Sequence, residues 1–211
     1  MIDYSKIKKG KDGRVTTKSL MEFLLYCNSG TEIWDAWWEL THDEELTSEY
    51  PMSWKTFYKG LIHAYCQGKM AHSDARDMFE EVSAYWYDYA QKKDRRFYDN
   101  LERDERGYVT LYRGCSQAEL DAGESGVSWT TDRAIAEFFA FRFSDIKGNE
   151  DDGVVIKTKV HIGDIASVIT DRDEDEVIYI WWIDDYEVVT RKPTEYFEQY
   201  MEQKGKNLGI S

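Results

Sequence analysis

The first half of the chain carries hydrophobic residues at the three- and four-residue spacing that one face of a helix produces. The first such segment follows Thr17 and Ser19, either of which can cap a helix, and its apolar positions include Leu20, Phe23 and Leu24. Three further segments with this spacing, rich in aromatic rings, cover residues 33–40, 54–65 and 73–89. The pattern predicts a helical lobe over residues 1–106, with its rings in the core.

Near Gly107 the pattern changes to the two-residue alternation of β-strands. Alternating runs rich in β-branched and aromatic residues predict strands at 108–113, 126–130, 154–160 and 176–182, a short element at 165–169, and a strand at 186–190 that is the antiparallel neighbour of 176–182. Helical spacing returns at residues 132–143, and Pro193 predicts the start of a terminal helix.

These elements predict an α+β fold in a single domain, 1–211. We expect it to comprise the helical lobe over 1–106, a β-rich core over 107–192, and a C-terminal helix and tail over 193–211.

The charge balance narrows the function. The chain of 211 residues has 41 Asp and Glu against 27 Lys and Arg, which gives a formal net charge of −14. Binding to phosphate backbones or to anionic lipid surfaces requires cationic patches, so we expect neither direct nucleic-acid binding nor membrane docking. Aromatic residues make up 15% of the chain, far more than disordered segments carry, so the chain is expected to fold.

Several common kinds of site are absent from the sequence. Cys27, Cys66 and Cys115 are odd in number and widely spaced, which predicts free thiols in a reducing compartment. The first residues lack the apolar run of a secretory signal, so we expect a cytoplasmic protein, in the producing cell or in a host cell. The four histidines have no zinc-ligand spacing, and residues 171–182 lack the glycine and final glutamate of a calcium loop, so no metal is expected.

Polar residues at the ends of the predicted strands are the candidates for chemistry. Arg113 ends an otherwise apolar strand face, and its planar guanidinium suits a phosphate or a carboxylate. Ser128 and Thr130 share one face of the next strand, with Trp129 on the other. Taken alone, Arg113 could equally pair with a surface carboxylate.

Glu174 and Glu176 form a second candidate group. In an extended chain the two carboxylates project to the same side, because they are two residues apart. Paired carboxylates can stabilise an oxocarbenium-like centre and orient a nucleophile, as they do in glycoside hydrolysis. The alternative is that this acidic run is a solvated turn.

In order and spacing, these motifs resemble those of the mono-ADP-ribosyltransferases, in the toxin-type branch that carries an Arg, a Ser-x-Ser-like strand and a Glu-x-Glu. The matching segments are 111–114 (Leu-Tyr-Arg-Gly), 126–132 (Gly-Val-Ser-Trp-Thr-Thr-Asp), 136–140 (Ala-Glu-Phe-Phe-Ala) and 174–179 (Glu-Asp-Glu-Val-Ile-Tyr). Together they span about residues 108–182. The resemblance implies an ADP-ribosyltransferase-like β-sandwich core, preceded by the helical lobe.

The resemblance also implies roles for individual residues. Arg113 would grip the phosphate or ribose region of NAD, Ser128 would position the catalytic glutamate, and Thr130 would support the cofactor site. Glu176 would be the catalytic glutamate, and Glu174 would orient the acceptor. A Glu at position 174, rather than a Gln, resembles the arginine-modifying branch.

One aromatic position differs from the family pattern. The family often has an aromatic residue two positions before the first Ser of its motif, where this chain has Gly126. The resemblance then leaves Phe138 or Phe139 to stack on the nicotinamide, and Phe139 is the preferred candidate.

The expected function is transfer of ADP-ribose from NAD to an acceptor side chain of a target protein, with arginine as the expected acceptor and nicotinamide as the released product. Two alternatives stay open at this point. The same cleft could pass ADP-ribose to water, as an NAD glycohydrolase does. The chain could instead be a non-catalytic acidic interaction protein that mimics nucleic acid, as its charge would allow.

Overall fold

A computed structural model describes residues 2–27, 29–67, 72–123, 126–142, 152–170 and 175–207. The chain divides into two compact units, Met1–Gln91 and Lys92–Ser211. Residues 92–106, which the sequence analysis assigned to the helical lobe, therefore belong to the same unit as the sheet. The grouping of both units into a single domain stays a prediction.

The described residues of the first unit form α-helices, with one turn of 3-10 helix at Tyr4–Lys6. The helices are α1 (Thr17–Leu25), α2 (Gly30–His42), α3 (Glu44–Glu49), α4 (Trp54–Gln67), α5 (His72–Val82) and α6 (Trp86–Tyr89). The helical spacing in the sequence thus predicted the class of this unit.

The predicted ring stripes of the first unit lie partly in its core, because Trp54 and Tyr85 are each 45% exposed while other rings are buried. Trp37 of α2 and Phe79 of α5 are fully buried. Gly60 of α4 lies against Trp37, where a Cβ atom would collide with the indole ring. The cap of α1 is Thr16, one residue before the predicted pair of candidates, because its Oγ1 accepts a hydrogen bond from the Ser19 N–H at 3.2 Å.

The second unit contains the strands, together with four α-helices and one turn of 3-10 helix at Ile162–Asp164 in its described part. The helices are α7 (Lys92–Asp99), α8 (Gln117–Asp121), α9 (Arg133–Phe141) and α10 (Glu195–Asn207). The strands are β1 (Tyr108–Ser116), β2 (Ser128–Thr130), β3 (Gly153–His161), β4 (Ser167–Ile169), β5 (Glu176–Ile178) and β6 (Glu187–Thr190). The fold class is therefore α+β, as predicted.

The strands form one antiparallel sheet in the order β4-β5-β2-β1-β3-β6. Strands β1 and β3 pair along their whole length, from Tyr108 opposite His161 to Ser116 opposite Gly153. Strands β1 and β2, in contrast, are in register only at Tyr112 and Thr130. The sheet thus has two three-stranded halves, β4-β5-β2 and β1-β3-β6, which meet at this one pair.

Two sequence expectations about the strands were wrong. Strand β6 does not pair with β5, because β2 and β4 occupy both edges of β5, and β6 lies beside β3. Strand β5 ends at Ile178, and the rings of Trp181 and Trp182 beyond it are 50% and 64% exposed. An apolar run shows that a segment can form a strand, but it does not identify the partner strand.

Helix α9 lies close against the sheet because two glycines make room for its backbone. A Cβ atom at Gly114 of β1 or at Gly153 of β3 would collide with the main chain of α9. On its other side, α9 holds the C-terminal helix through Glu137, which is fully buried. The Glu137 carboxylate accepts hydrogen bonds from the N–H and hydroxyl of Thr194, at 3.0 and 2.8 Å, where α10 begins.

Among the described residues, no helix combines the length and the apolar character that crossing a bilayer requires.

Candidate functional site

Strand register places one residue from each of four strands in a row at the centre of the sheet. Tyr112 of β1 lies opposite Thr130 of β2, Thr130 lies opposite Glu176 of β5, and Glu176 lies opposite Ile169 of β4. Side chains of directly paired residues point to the same face. Tyr112, Thr130 and Glu176 therefore project side by side on the face that α9 covers.

A cavity of about 240 Å³ lies beside this row. Its lining residues come from β1, β2, β5 and α9, and they are Tyr112, Arg113, Gly114, Ser128, Trp129, Thr130, Ile135, Ala136, Phe139 and Glu176. The cavity thus brings together Arg113, Ser128, Thr130, Phe139 and Glu176, five of the six residues that the sequence analysis selected. Glu174 lies outside the described residues.

Glu176 is the first residue of β5 and is 6% exposed. Its strand is paired on both sides, with β2 and with β4, so the backbone that carries the carboxylate is fixed from two directions. Burial among apolar neighbours such as Ile135 strengthens the electrostatic effect of a carboxylate on a nearby positive charge. A cation that develops in this cavity would therefore be stabilised.

Arg113 follows Tyr112 in β1, so its Cβ points to the opposite face of the sheet, which it shares with the buried Val109 and Leu111 as predicted. Its Nη1 donates to the main-chain carbonyl of Ser128 at 2.6 Å, and its Nη2 forms an ion pair with Glu119 of α8. Both arms of the guanidinium are thus used within the protein. This carboxylate contact is the alternative that the sequence left open for Arg113.

The hydroxyl residues of β2 have the predicted alternation. Ser128 and Thr130 line the cavity, whereas the side chain of Trp129, which is 2% exposed, points to the other face. Thr130 also has a structural role, because its Oγ1 accepts a hydrogen bond from the Asp132 N–H at 3.1 Å. Asp132 in turn caps α9, so this turn fixes the helix relative to β2.

The structure distinguishes between Phe138 and Phe139, the two candidates for stacking on the nicotinamide. Phe139 lines the cavity, with the Arg142 guanidinium 4.4 Å from its ring centroid on one side. Phe138 instead packs against Tyr200 of α10, with ring centroids 5.3 Å apart. Phe139 therefore supplies the aromatic surface of the cavity.

A second and larger cavity, of about 570 Å³, shares Tyr112 with the first. It lies over the β1 face that carries Tyr108, Thr110 and Tyr112, and the loop at residues 100–104 forms one side. Its basic residues Arg103 and Lys159 are balanced by acidic neighbours, since Lys159 Nζ lies 3.1 Å from Asp104. Tyr112 is thus the residue at which the two cavities adjoin.

Cys115, two residues after Arg113 in β1, is not a reactive thiol. It is buried, and burial raises the pKa of its thiol to about 11. The thiol is therefore protonated at neutral pH and is a poor nucleophile. No group of His, Cys, Asp and Glu within the described ranges has the arrangement of a metal site.

Sequence reasoning missed three residues that shape the site. Glu119 belongs to a five-residue helix that has no periodic signal, and its distance from Arg113 depends on how the chain turns after β1. Tyr112 and Gly114 stand on either side of Arg113 in the matching motif, and the alternation of β1 would have placed both on the face opposite to it.

An Arg113→Ala variant is expected to lose about 3 kcal/mol of unfolding free energy, because it leaves the Glu119 carboxylate without its partner in a largely buried position. Glu119 is 22% exposed, which keeps the effect at the low end of the usual range. Urea unfolding followed by circular dichroism measures it. Glu119→Gln tests the other half of the pair: it leaves the Arg113 guanidinium, which is 9% exposed, without a counter-charge, so a loss of similar size is expected. Equal stability of Arg113→Ala and the wild type would contradict this role.

Comparison of the chain with models of known families, with curated proteins and with solved structures gave no match.

Proposed function

We propose that the protein is a mono-ADP-ribosyltransferase that cleaves NAD and passes ADP-ribose to a side chain of a target protein. The observation that carries the proposal is the single cavity of about 240 Å³ that gathers Arg113, Ser128, Thr130, Phe139 and Glu176. These residues were selected from the sequence, by strand alternation and by the family resemblance, and they come from four separate elements. The convergence of Ser128, Thr130, Phe139 and Glu176 on one pocket supports a shared chemical task, whereas the Arg113 side chain points to the other face of the sheet.

The central chemistry is assigned to Glu176. The bond between C1′ of the ribose and the nicotinamide nitrogen breaks, nicotinamide leaves with the electron pair, and positive charge develops on the ribose ring. A fixed carboxylate of low exposure stabilises this charge more in the transition state than in the ground state. The acceptor atom then bonds to C1′ and releases a proton.

The size of the cavity indicates which end of NAD it takes. A volume of 240 Å³ is below the about 300 Å³ at which pockets for drug-sized ligands begin. We therefore assign to it the nicotinamide and its ribose, with the nicotinamide ring on Phe139 and the ribose near Ser128 and Glu176. The rest of the dinucleotide extends outside this pocket.

Arg113 has a different role in this proposal from the one that the resemblance implies. Its guanidinium is engaged by the Ser128 carbonyl and by Glu119, so we assign it to holding β2 against β1 rather than to gripping a phosphate. The six strands form one sheet, so the ADP-ribosyltransferase-like β-sandwich stays a proposal that rests on the sequence resemblance.

The acceptor class rests on the sequence. Glu174, two residues before Glu176, resembles the position that marks the arginine-modifying branch, so we propose an arginine side chain of a target protein as the acceptor. The same cavity would serve an NAD glycohydrolase if water takes the place of the acceptor.

The test is incubation of the purified protein with NAD labelled in the adenylate part, with and without a cell extract. The expected result is release of nicotinamide together with labelled protein bands that hydroxylamine removes, as expected of an arginine linkage. Free ADP-ribose without labelled bands would identify a glycohydrolase. Release of no nicotinamide by a folded sample would overturn the enzymatic proposal and favour the acidic interaction protein.

A further inference from the structure

A buried aspartate of α7 holds the end of the strand that pairs with Glu176. Asp94 is 5% exposed, and its Oδ1 accepts hydrogen bonds from the Thr170 N–H at 3.1 Å and from the Thr170 hydroxyl at 2.7 Å. The neighbouring Lys93 donates from Nζ to the Thr170 carbonyl at 3.4 Å. Every hydrogen-bonding group of Thr170 is thus engaged by two consecutive residues of α7.

Thr170 directly follows the strand position that faces Glu176. Ile169, the last residue of β4, lies opposite Glu176, the first residue of β5. Strand β4 is at the edge of the sheet and has only three residues, so the ladder holds it from one side alone. An anchor outside the ladder, at Thr170, therefore determines where the end of β4 lies.

The backbone on the other side of this hairpin is strained. Asp175, which immediately precedes Glu176, has a φ of 44° and is the only non-glycine residue with positive φ in the part of the chain that the structure describes. A side chain in the left-handed region persists only where the surrounding structure imposes it. The Asp94–Thr170 contact and the β4–β5 ladder supply this constraint at the base of the hairpin.

We infer that Asp94 is a positioning residue for Glu176. It fixes Thr170, the ladder transmits this position through Ile169, and the Glu176 carboxylate is thereby held at its place in the cavity. Asp94 itself does not line the cavity, so it has no direct contact with the bound substrate. The kinetic consequence rests on the proposed function, whereas the structural link does not.

The expected kinetic signature is a loss of turnover without a loss of binding. Asp94→Ala and Thr170→Val are expected to lower kcat for nicotinamide release by about 10–100-fold, because small displacements of a catalytic group have effects of this size. KM for NAD is expected to stay within about threefold of the wild type, since the lining residues are unchanged. Thr170→Ser keeps the hydroxyl and is expected to restore wild-type turnover.

A matched control removes another contact of the same helix, at the other end of the segment that leads into β4. The Tyr98 hydroxyl of α7 donates to the Ile162 carbonyl at 3.1 Å, in the turn that follows β3 and eight residues before Thr170. Tyr98→Phe is expected to lower the melting temperature as Thr170→Val does but to leave kcat unchanged. A loss of kcat in Tyr98→Phe equal to that in Thr170→Val would show that general destabilisation causes both losses and would overturn the inference.

Two further measurements separate this inference from the proposed function. Adding Asp94→Ala to Glu176→Gln is expected to cause no further loss of residual turnover, because Asp94 acts through the carboxylate. Losses that multiply in the double variant would overturn the inference.

Hydrogen exchange tests the positioning role without an enzymatic assay. Asp94→Ala is expected to speed amide exchange at Thr170 and in Glu176–Ile178 and to leave the β1–β3 ladder protected. Unchanged exchange at β5 would overturn the positioning role, even in an active enzyme. Faster exchange there in a protein that does not cleave NAD would leave the link intact and overturn only the proposed function.

Discussion

Replacing Glu176 by Gln is expected to slow nicotinamide release from NAD by about 10²–10³-fold, the usual effect of removing one preorganised electrostatic group from an active site. Glutamine has nearly the same shape and keeps the hydrogen-bonding oxygen, but it has no negative charge to oppose the charge on the ribose. Measurement of kcat and KM for NAD tests this expectation. The loss should appear in kcat, because the interaction is strong only in the transition state.

The fold is expected to survive this substitution. Glu176 is anchored by the ladders to β2 and β4, and its side chain is buried, so the amide occupies the same space. The melting temperature of Glu176→Gln should therefore stay within a few degrees of that of the wild type. Loss of activity in an unfolded variant would carry no information about catalysis, so circular dichroism accompanies every kinetic measurement.

Glu187→Gln is the matched control. Glu187 starts the edge strand β6, its side chain is 66% exposed, and its carboxylate pairs with Lys157 at 2.6 Å, on the other half of the sheet. This substitution also removes one negative charge from a strand, but it is expected to leave turnover unchanged. Full activity in Glu176→Gln, or an equal loss in Glu187→Gln, would contradict the catalytic assignment.

Local patterns predicted the parts of the site that depend on one strand or one helix. The alternation in β1 placed Arg113 with Val109 and Leu111, and the alternation in β2 placed Ser128 and Thr130 opposite Trp129. In each case the period of a strand decides the face, and no information from elsewhere in the chain is needed.

Features that depend on distant partners were not predictable in this way. Whether Arg113 and Glu176 share a face of the sheet depends on the register of β1, β2 and β5. Because Tyr112 pairs with Thr130, and Thr130 with Glu176, the Arg113 side chain lies on the other face of the sheet. The sequence analysis predicted the wrong partner strand for β6 for the same reason. A strand pattern carries its own period but not the identity or the alignment of its neighbour.

Contacts between two side chains that are far apart in the sequence were the hardest features to predict. Asp94 and Thr170 are separated by 76 residues, and nothing about an aspartate in the first turn of a helix indicates that it binds a strand end rather than solvent. The choice between Phe138 and Phe139 depends on the position of α10, because Tyr200 of that helix packs against the ring of Phe138. Such contacts follow from packing, which the local pattern does not encode.

Gly114 illustrates how a motif residue can be required by packing rather than by chemistry. It stands next to Arg113 in the segment that carries the family resemblance, yet its Cα lies under the backbone of α9, at Ala136 and Ala140. This close approach brings Ile135 and Phe139 to the wall of the cavity. The glycine therefore determines the distance between the helix and the sheet, and with it the shape of the pocket.

A Gly114→Ala variant is consequently expected to lose about 2–3 kcal/mol of unfolding free energy and most of its NAD cleavage, because the new methyl group meets main-chain atoms that cannot rotate away. Urea unfolding and nicotinamide release measure the two effects. Gly163→Ala is the control: its nearest neighbour is the exposed side chain of His161, 3.2 Å away, rather than a main-chain atom, so a change of at most about 0.5 kcal/mol is expected. If Gly114→Ala matched this control in both measurements, the close packing of α9 could not be what shapes the cavity.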